Sequence, residues 1–301
     1  MKDKKVVFMG TPDFAVNPLK LLIDKCNVVL VVTKPDALVG RKKILTPSPV
    51  KQAALNNNIE VFTPDSIKKD YQKIIDCKPD IIITCAYGKI IPKELIDYPK
   101  YGCVNIHASL LPKYRGAAPI QWALLNGEEY TGVTLMYMDE FMDTGDIIAK
   151  KEYKIDIEDN IGTLHDRLSL IGTKLLEENL EYLFSEKVVR IKQNDKEATY
   201  AKMIDRDMEE INFNDTCLNI YNKVRAFSPW PLSKTTINGE EVKIIKCHYE
   251  VCNSIVNKLY INKNNLGIGC TDGIIYLDII KPVGKGEMPI KNYLNGKNFN
   301  K

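Results

Sequence analysis

The chain has 301 residues, of which 45% are hydrophobic and 27% are charged. At roughly 150 residues per domain this length predicts about two domains, and the composition excludes a disordered chain, a collagen-like repeat and a small disulfide-stabilised protein. The 42 basic residues exceed the 39 acidic residues by only three. Any nucleic-acid site must therefore come from a local concentration of positive charge.

Cysteine and histidine spacing argues against a metal site. The eight cysteines and three histidines are scattered and form no Cys-x-x-Cys pair, so we expect no metal and reduced thiols that pack as small hydrophobic side chains. No apolar run reaches the roughly 18–20 residues that span a bilayer, and the N-terminal run is too short for a signal peptide. We expect a cytoplasmic protein without membrane association. No heptad pattern indicates assembly, so a monomer is expected.

The first 140 residues alternate between continuous apolar strands and amphipathic helices. Ser48 and Pro49 have the residue types of a helix N-cap and first helical position. Continuously apolar strands that alternate with helices are covered on both faces, which indicates a mostly parallel, doubly wound sheet. The predicted strands are 5–9, 28–33, 60–62, 80–85, 103–107 and 132–138, and the predicted helices lie near 19–23, 50–57, 67–75 and 119–125.

The second half changes character after a predicted edge strand at 146–155 and a long helix at 161–184. A charged, aperiodic stretch predicts a linker at 187–206 between a first domain at 1–186 and a second at 207–301. In the second domain a helix capped by Asp215 precedes short strands, and Asn238-Gly239 and Asp272-Gly273 are strong hairpin turns. This pattern predicts a small β-barrel.

Polar residues are concentrated at the end of the predicted strand 103–107. Because side chains alternate along a strand, Asn105 and His107 point the same way and can donate hydrogen bonds to one oxyanion. Asp143 can orient the imidazole and accept a proton. Ser109 lacks the Gly-x-Ser-x-Gly context of a nucleophile, which favours direct acyl transfer. Alternatively, all these groups only satisfy buried backbone groups.

Basic residues are concentrated in the segment 34–51, which holds five positive charges against Asp36. Gly40 and the flanking prolines predict an irregular loop there, and long loops in compact domains are often functional. The loop is either a solvated surface or a nucleic-acid contact. At the first strand end, Gly10-Thr11-Pro12-Asp13 lacks the remaining glycines of a dinucleotide site, which argues against nicotinamide binding.

Several motifs carry a resemblance to a known family. Asn-x-His-x-Ser-Leu-Leu-Pro at 105–112, Arg-Gly-Ala-Ala-Pro-Ile-Gln at 115–121 and Met-Asp-Thr-Gly-Asp at 142–146 resemble the folate-dependent formyltransferases. Further segments are similar to the methionyl-tRNA branch of that family, and they extend the resemblance almost from end to end. They are 8–15, 42–51, 86–92, 199–202 and 225–231.

The resemblance implies a Rossmann-like catalytic domain followed by an OB-like barrel, and 10-formyltetrahydrofolate as the formyl donor. The implied acceptor is the α-amino group of methionine on initiator tRNA, and no metal or redox cofactor is implied. The implied catalytic residues are Asn105, His107 and Asp143. The implied folate contacts are Ser109, Leu110, Leu111, Pro112, Tyr87, Gly88, Asp139 and Phe141. The implied tRNA contacts are Arg41, Lys42, Lys43, Lys223, Arg225, Lys243 and Lys246.

Two departures and three rival functions accompany this resemblance. Phe141-Met142 replaces the usual Gly-Leu before the aspartate, which predicts local strain or a different loop path. A glycine commonly follows the arginine of the basic loop, where this chain has Lys42. Trp230, between two prolines, is interpreted as a packing anchor. The rivals are a formyltransferase with a small acceptor, a formyl-releasing hydrolase and a non-catalytic tRNA-binding protein.

Overall fold

The computed structural model describes residues 1–40, 42–185 and 187–295, so Arg41 lies outside the described residues. The chain forms two compact units. The first contains Met1–Pro119, Thr131–Tyr153 and His165–Ala201, and the second contains Ile120–Tyr130, Lys154–Leu164 and the chain from Lys202 onward. The stretch predicted as a linker therefore belongs to the first unit as far as Ala201, because its backbone pairs with that unit.

A seven-stranded sheet forms the centre of the first unit. In chain order its strands are β1 Lys5–Gly10, β2 Asn27–Val32, β3 Val61–Phe62, β4 Ile81–Cys85, β5 Cys103–His107, β6 Tyr130–Tyr137 and β7 Ile147–Lys154. Across the sheet the strands lie in the order β3-β2-β1-β4-β5-β6-β7. The strands from β3 to β5 are parallel, and β6 is antiparallel to β5, which confirms the predicted mostly parallel sheet.

The strand order reverses between β1 and β4, where Gly10 lies beside Cys85. A Cβ atom on Gly10 would lie 2.8 Å from the Ala15 Cβ and 2.9 Å from the Cys85 carbonyl oxygen, so only glycine fits there. In open sheets of this kind, ligands bind beyond the carboxyl ends of the strands near such a reversal. The topology therefore predicts a ligand site at the segments that follow β4 and β5.

The helices of the first unit follow the predicted pattern with two exceptions, an unpredicted short helix at Lys93–Ile96 and a division of the helix predicted at 67–75. The Ser48 hydroxyl accepts a hydrogen bond from the Lys51 amide at 3.0 Å, which confirms the predicted N-cap. The single helix predicted at 67–75 is instead two short helices, because Tyr71 ends one and begins the next. The helices with residues in this unit are Val16–Lys25, Pro49–Asn56, Ile67–Asp70, Gln72–Asp76, Lys93–Ile96, Pro119–Leu125 and Ile161–Leu183.

The basic segment is a β-hairpin rather than the expected irregular loop. Ala37–Val39 pairs with Ile44–Thr46 in antiparallel register, and Gly40 and Lys43 take the left-handed conformation between them. Its four large apolar side chains are 54% to 64% exposed, so the hairpin has no core of its own. They are Leu38, Val39, Ile44 and Leu45.

The second unit has an antiparallel sheet and a helix, Cys217–Phe227. Thr216 caps that helix through its hydroxyl, which accepts from the Asn219 amide at 3.3 Å, so the predicted cap at Asp215 was one residue early. Its strands are β8 Ser233–Ile237, β9 Glu240–Val251, β10 Leu259–Ile261, β11 Leu266–Gly269, β12 Gly273–Pro282 and β13 Met288–Pro289, and the helix Ile290–Leu294 follows. Across the sheet the strands lie in the order β8-β9-β12-β11-β10, with β13 beside β12.

The turn between β8 and β9 is the predicted hairpin turn. Asn238 and Gly239 both have positive φ, 49° and 77°, as the favoured two-residue turn requires. The antiparallel class of this unit is confirmed, whereas closure of the strands into an OB-like barrel stays a prediction. No helix among the described residues is both long and apolar enough to cross a membrane.

Candidate functional site

His107 ends β5 with its side chain buried and its ring held by the backbone. Nε2 lies 2.9 Å from the carbonyl oxygen of Tyr114. Because a carbonyl oxygen only accepts, Nε2 carries the hydrogen and Nδ1 is the nitrogen that remains for chemistry. Nδ1 lies 3.6 Å from Asp143 Oδ1, a distance too long for a hydrogen bond. The Tyr114 carbonyl therefore orients the ring, a role that the sequence analysis had assigned to Asp143.

Asp143 is fixed by its own backbone and by a neighbouring amide. Its φ is +55°, in the left-handed region that aspartate tolerates better than most residues. The Gly116 amide donates to Asp143 Oδ2 at 2.8 Å. One carboxylate oxygen is thus held by the fold, while the other faces the imidazole of His107.

Asn105 lies two residues before His107 on the same strand. The Thr84 hydroxyl donates to Asn105 Oδ1 at 2.8 Å, which assigns the orientation of the amide. Its Nδ2 group makes no hydrogen bond within the part of the chain that the structure describes. Alternation along β5 places this donor on the same side of the sheet as the imidazole.

These contacts bear on the alternative that the three residues only satisfy backbone groups. His107 Nε2 and Asp143 Oδ2 do have backbone partners. However, each of the three side chains keeps one polar atom that makes no hydrogen bond to the described residues: Asn105 Nδ2, His107 Nδ1 and Asp143 Oδ1. An amide donor, an imidazole nitrogen and a carboxylate oxygen can together stabilise an oxyanion and move a proton.

Comparison with known proteins assigns the family. Residues 4–180 match the model described as formyl transferase, and residues 203–298 match formyl transferase, C-terminal domain. The chain belongs to the formyltransferase family.

Relatives extend this formyltransferase match along the chain. It is 43% identical over 302 residues to methionyl-tRNA formyltransferase of Bacillus velezensis, covering 98% of this chain and 95% of that one. It is 49% identical over 243 residues to methionyl-tRNA formyltransferase of Bacillus subtilis, covering 80% and 77%. Among solved structures, an N-formyltransferase from Helicobacter canadensis in complex with folinic acid and dTDP-3-aminofucose has a TM-score of 0.69, with 26% identity over 91% of this chain and 98% of that one.

The segment after His107, Ser109 to Pro112, is built by internal hydrogen bonds in this formyltransferase. The buried Ser109 hydroxyl donates to the Lys113 carbonyl at 2.6 Å, so this turn uses it. Leu111 packs in a small apolar cluster, while Leu110 and Pro112 are half-buried. Of the predicted folate contacts here, the Ser109 hydroxyl and the Leu111 side chain are therefore directed into the protein.

Tyr87 and Gly88 follow β4, yet the tyrosine ring points inward. Its side chain belongs to the main apolar cluster, and burial raises the pKa of its hydroxyl to about 12. The hydroxyl has no hydrogen-bond partner among the described residues, and the Tyr87 carbonyl accepts from the Thr11 hydroxyl at 3.3 Å. Gly88 is exposed with φ +71°, and a Cβ there would lie 2.7 Å from Lys34 Nζ. At Tyr87 and Gly88, therefore, backbone groups rather than the Tyr87 ring are available to a ligand.

The loop from Asp139 to Gly145 shows whether Phe141, in place of the usual glycine, strains the backbone. The Asp139 carboxylate accepts from the Thr144 hydroxyl at 2.6 Å and from the Phe141 amide at 3.1 Å. The left-handed residue of the loop is Asp143, so Phe141 replaces glycine where positive φ is not required. The expected strain is absent at that position, and the Phe141 ring is 68% exposed.

Two threonines that hold this site by hydrogen bonds were not predicted from the sequence. Thr84 orients Asn105, and the Thr134 hydroxyl donates to the Ser109 carbonyl at 2.6 Å and accepts from the Leu111 amide at 3.1 Å. Both are fully buried within apolar strands. For Thr84 the available signal was a single hydroxyl in the otherwise apolar strand Ile81–Cys85, because a buried polar group must have a partner.

The basic residues predicted to contact tRNA fall into two classes. Lys42, Lys43 and Lys246 are exposed. In contrast, Arg225 is only 8% exposed, and its guanidinium donates to Asn222 Oδ1 at 2.9 Å and to the Asp156 carbonyl at 3.2 Å. Lys223 donates to the Glu210 carbonyl, and burial lowers its pKa. Arg225 and Lys223 therefore act in packing, because their charged groups already have partners inside the second unit.

Lys243 is part of a row of lysines across three strands of the second unit. It lies opposite Lys234 on β8 and opposite Lys281 on β12. Each lysine has a glutamate nearby, at 3.3 to 3.7 Å. Trp230, expected to be an anchor, is instead 74% exposed. The row and the exposed indole are surface features that residue order alone did not indicate.

Proposed function

We propose that this chain transfers the formyl group of 10-formyltetrahydrofolate to the α-amino group of methionine on initiator tRNA. The observation that carries the proposal is the set of unused polar atoms at Asn105, His107 and Asp143, in a chain at least 43% identical over most of its length to two methionyl-tRNA formyltransferases. The proposed activity belongs to protein synthesis, which places the protein in the cytoplasm.

The reaction follows from those three side chains. The methionine nitrogen attacks the formyl carbon, and the carbonyl electrons move to the formyl oxygen. Asn105 Nδ2 donates to this oxyanion, and His107 donates to it from a protonated Nδ1, because Nε2 is committed to Tyr114. Asp143 takes the proton released by the attacking nitrogen, collapse of the intermediate breaks the bond to folate N10, and Asp143 passes that proton to N10.

The donor site lies beyond the ends of β4 and β5. We assign it to the backbone around Gly88, to the segment 109–112 and to the loop from Asp139 to Gly145. The exposed Phe141 and Met142 supply apolar surface next to the Asp143 carboxylate in the chain. The folinic acid in the Helicobacter canadensis structure supports a folate as the donor at this site.

We assign the tRNA contacts separately in each of the two units. Exposed Lys42 and Lys43 near the hairpin tip suit phosphate contacts, and the four exposed apolar side chains suit contacts with unpaired bases. Arg41 keeps its proposed role at the acceptor stem. In the second unit we assign phosphate contacts to Lys243 and Lys246, together with the neighbouring lysine row.

An amino-sugar nucleotide is the strongest rival acceptor, because the Helicobacter canadensis structure holds one. The higher identity of the methionyl-tRNA enzymes and the basic hairpin favour tRNA over that rival.

An acceptor panel tests the proposal. The protein is incubated with 10-formyltetrahydrofolate and with Met-charged initiator tRNA, Met-charged elongator tRNA, an amino-sugar nucleotide or no acceptor. We expect N-formylmethionine with initiator tRNA as the fastest reaction. Formate release without acceptor would indicate the hydrolase, formylation of the sugar alone would indicate the small-acceptor enzyme, and no turnover would indicate a binding protein.

A further inference from the structure

A closed ring of hydrogen bonds surrounds the backbone of Asp143. Gln193 Nε2 donates to the Asp143 carbonyl at 2.9 Å and to the Gly145 carbonyl at 2.8 Å. Gln193 Oε1 accepts from Arg115 Nε at 3.0 Å and Nη2 at 2.9 Å. The next residue after Arg115, Gly116, donates to the Asp143 carboxylate at 2.8 Å. Gln193 thus connects the two loops that meet at Asp143.

The loop held by Gln193 has an unusual backbone. Asp143 has φ +55°, a conformation that side chains other than glycine seldom adopt. Two residues later, a Cβ on Gly145 would lie 1.9 Å from the Tyr137 carbonyl oxygen, so the loop passes directly against the end of β6. A conformation of this kind persists only when the surroundings hold it. The two carbonyl groups on either side of Thr144 are the ones that Gln193 holds.

The segment that carries Gln193 is itself firmly attached. Ile191 pairs with Ile147 of β7, and Tyr200–Ala201 pairs with Arg115–Gly116 in parallel register. The Thr199 hydroxyl accepts from the Tyr114 amide at 2.9 Å, next to the carbonyl that orients His107. The stretch expected to be a linker is therefore a support for both catalytic loops.

We propose that Gln193 is a positioning residue that directs the Asp143 carboxylate towards His107 Nδ1. The inference rests on the proposed function and adds to it a residue 50 positions away along the chain. Glutamine suits the place because it is at once a double donor to the loop and an acceptor for the buried guanidinium of Arg115. Gln193 does not touch the reacting atoms and acts through Asp143 alone.

Two variants separate the two ends of this side chain. Gln193→Glu keeps an acceptor for Arg115 but sets a carboxylate oxygen against two carbonyl oxygens, while Gln193→Met keeps the length and removes both functions. We expect each to lower kcat by about 100-fold, the usual effect of displacing a catalytic group by about 1 Å. KM for Met-tRNA should be unchanged, because the loop that Gln193 holds carries Asp143 and part of the proposed donor site and none of the proposed tRNA contacts. Asp195→Asn is the matched control, since Asp195 is exposed and pairs with Arg115 from outside the ring.

A double-mutant cycle tests whether Gln193 acts through Asp143. In the Asp143→Asn background, Gln193→Met should lower kcat by less than about twofold further, because the residue it positions is already disabled. The two effects would multiply if Gln193 only stabilised the fold, and the inference would then be wrong. Wild-type kcat in a folded Gln193→Met protein would overturn the inference alone. Failure of the wild-type protein to formylate Met-tRNA would overturn the proposed function and the inference together.

Discussion

Each catalytic candidate divides its polar atoms between the fold and the reaction. Nε2 of His107 is bonded to a carbonyl, Oδ2 of Asp143 to an amide and Oδ1 of Asn105 to a threonine hydroxyl. Such contacts lock the rotamers and leave the opposite atoms preorganised. Electrostatic stabilisation of a transition state depends on this preorganisation, because no side chain has to be reoriented as charge develops.

Replacing Asn105 by alanine tests the oxyanion donor. Asn105→Ala should lower kcat by about 10² to 10³-fold with little change in KM, the usual effect of losing one such donor. Thr84→Val keeps the side-chain shape and removes only the hydroxyl that orients Asn105, so we expect a smaller loss in kcat. Steady-state kinetics on Met-tRNA measure both. Equal losses in the two variants, or a fully active Asn105→Ala, would contradict the donor role.

The elements of the first unit could be predicted where hydrophobic pattern alone decides the structure. The continuous apolar run 28–33 gave the strand Asn27–Val32, one residue from the expected limits, and Ser48-Pro49 began a helix as expected. Tertiary contacts decided the rest. The basic segment folded back as a hairpin, and residues 187–201 paired with a site distant in sequence. No local pattern reports such pairing, which also explains why Gln193 was missed.

At the site, the residue types were easier to predict than the roles of individual atoms. Asn105, His107 and Asp143 were found from alternation and motif, and His107 and Asp143 do lie together. The choice of Nδ1 over Nε2, and the inward turn of Tyr87 and Ser109, depend on partners that only the folded backbone supplies. Arg225 was misassigned because burial of a basic side chain cannot be seen from its charge.

The hairpin is predicted to contribute to tRNA affinity through Lys42 and Lys43. Reversing both charges, Lys42→Glu with Lys43→Glu, should raise KM for Met-tRNA and leave KM for 10-formyltetrahydrofolate unchanged. For every phosphate that the variant no longer neutralises, the slope of log affinity against log salt should fall in magnitude by about one. Binding assays over a range of salt concentrations measure this slope.

Lys68→Glu provides the control for that experiment, because Lys68 is an exposed lysine of the first unit in the helix Ile67–Asp70. It should leave both KM values and the salt slope unchanged. If Lys68→Glu weakened tRNA binding as much as the hairpin variant, overall charge rather than the hairpin would govern the interaction.

At the scale of the whole molecule, most cysteine side chains are buried with the apolar side chains. Of the eight cysteines, all of them free, six are buried, which agrees with the expected role as small hydrophobic side chains. Among the described residues, one group could hold a metal ion, Cys217, Cys270 and Asp272 of the second unit. Its two sulfur atoms are 3.1 Å apart, closer than two thiolates on one zinc ion at about 2.3 Å each would lie.

Three of the buried cysteine thiols lead us to expect a loss of stability at alkaline pH. Burial raises the pKa of Cys85, Cys103 and Cys247 above the value of 9.0 expected in the unfolded chain. The unfolded state therefore releases protons first, so this contribution to stability is complete below pH 9 and is lost as the pH rises further. The urea midpoint should fall as the pH rises above about 9, and it should fall less steeply in Cys247→Ala. A constant or rising midpoint would show that the folded thiols titrate normally.

Single-turnover formyl transfer by His107→Ala tests the central claim most directly. Enzyme saturated with 10-formyltetrahydrofolate and Met-charged initiator tRNA is quenched at intervals, and N-formylmethionine is counted, while tRNA affinity is measured separately. We predict a rate constant about 10² to 10³-fold below that of the wild type, the usual effect of losing one oxyanion donor, with tRNA affinity unchanged. A His107→Ala protein that transfers the formyl group at the wild-type rate would contradict the mechanism.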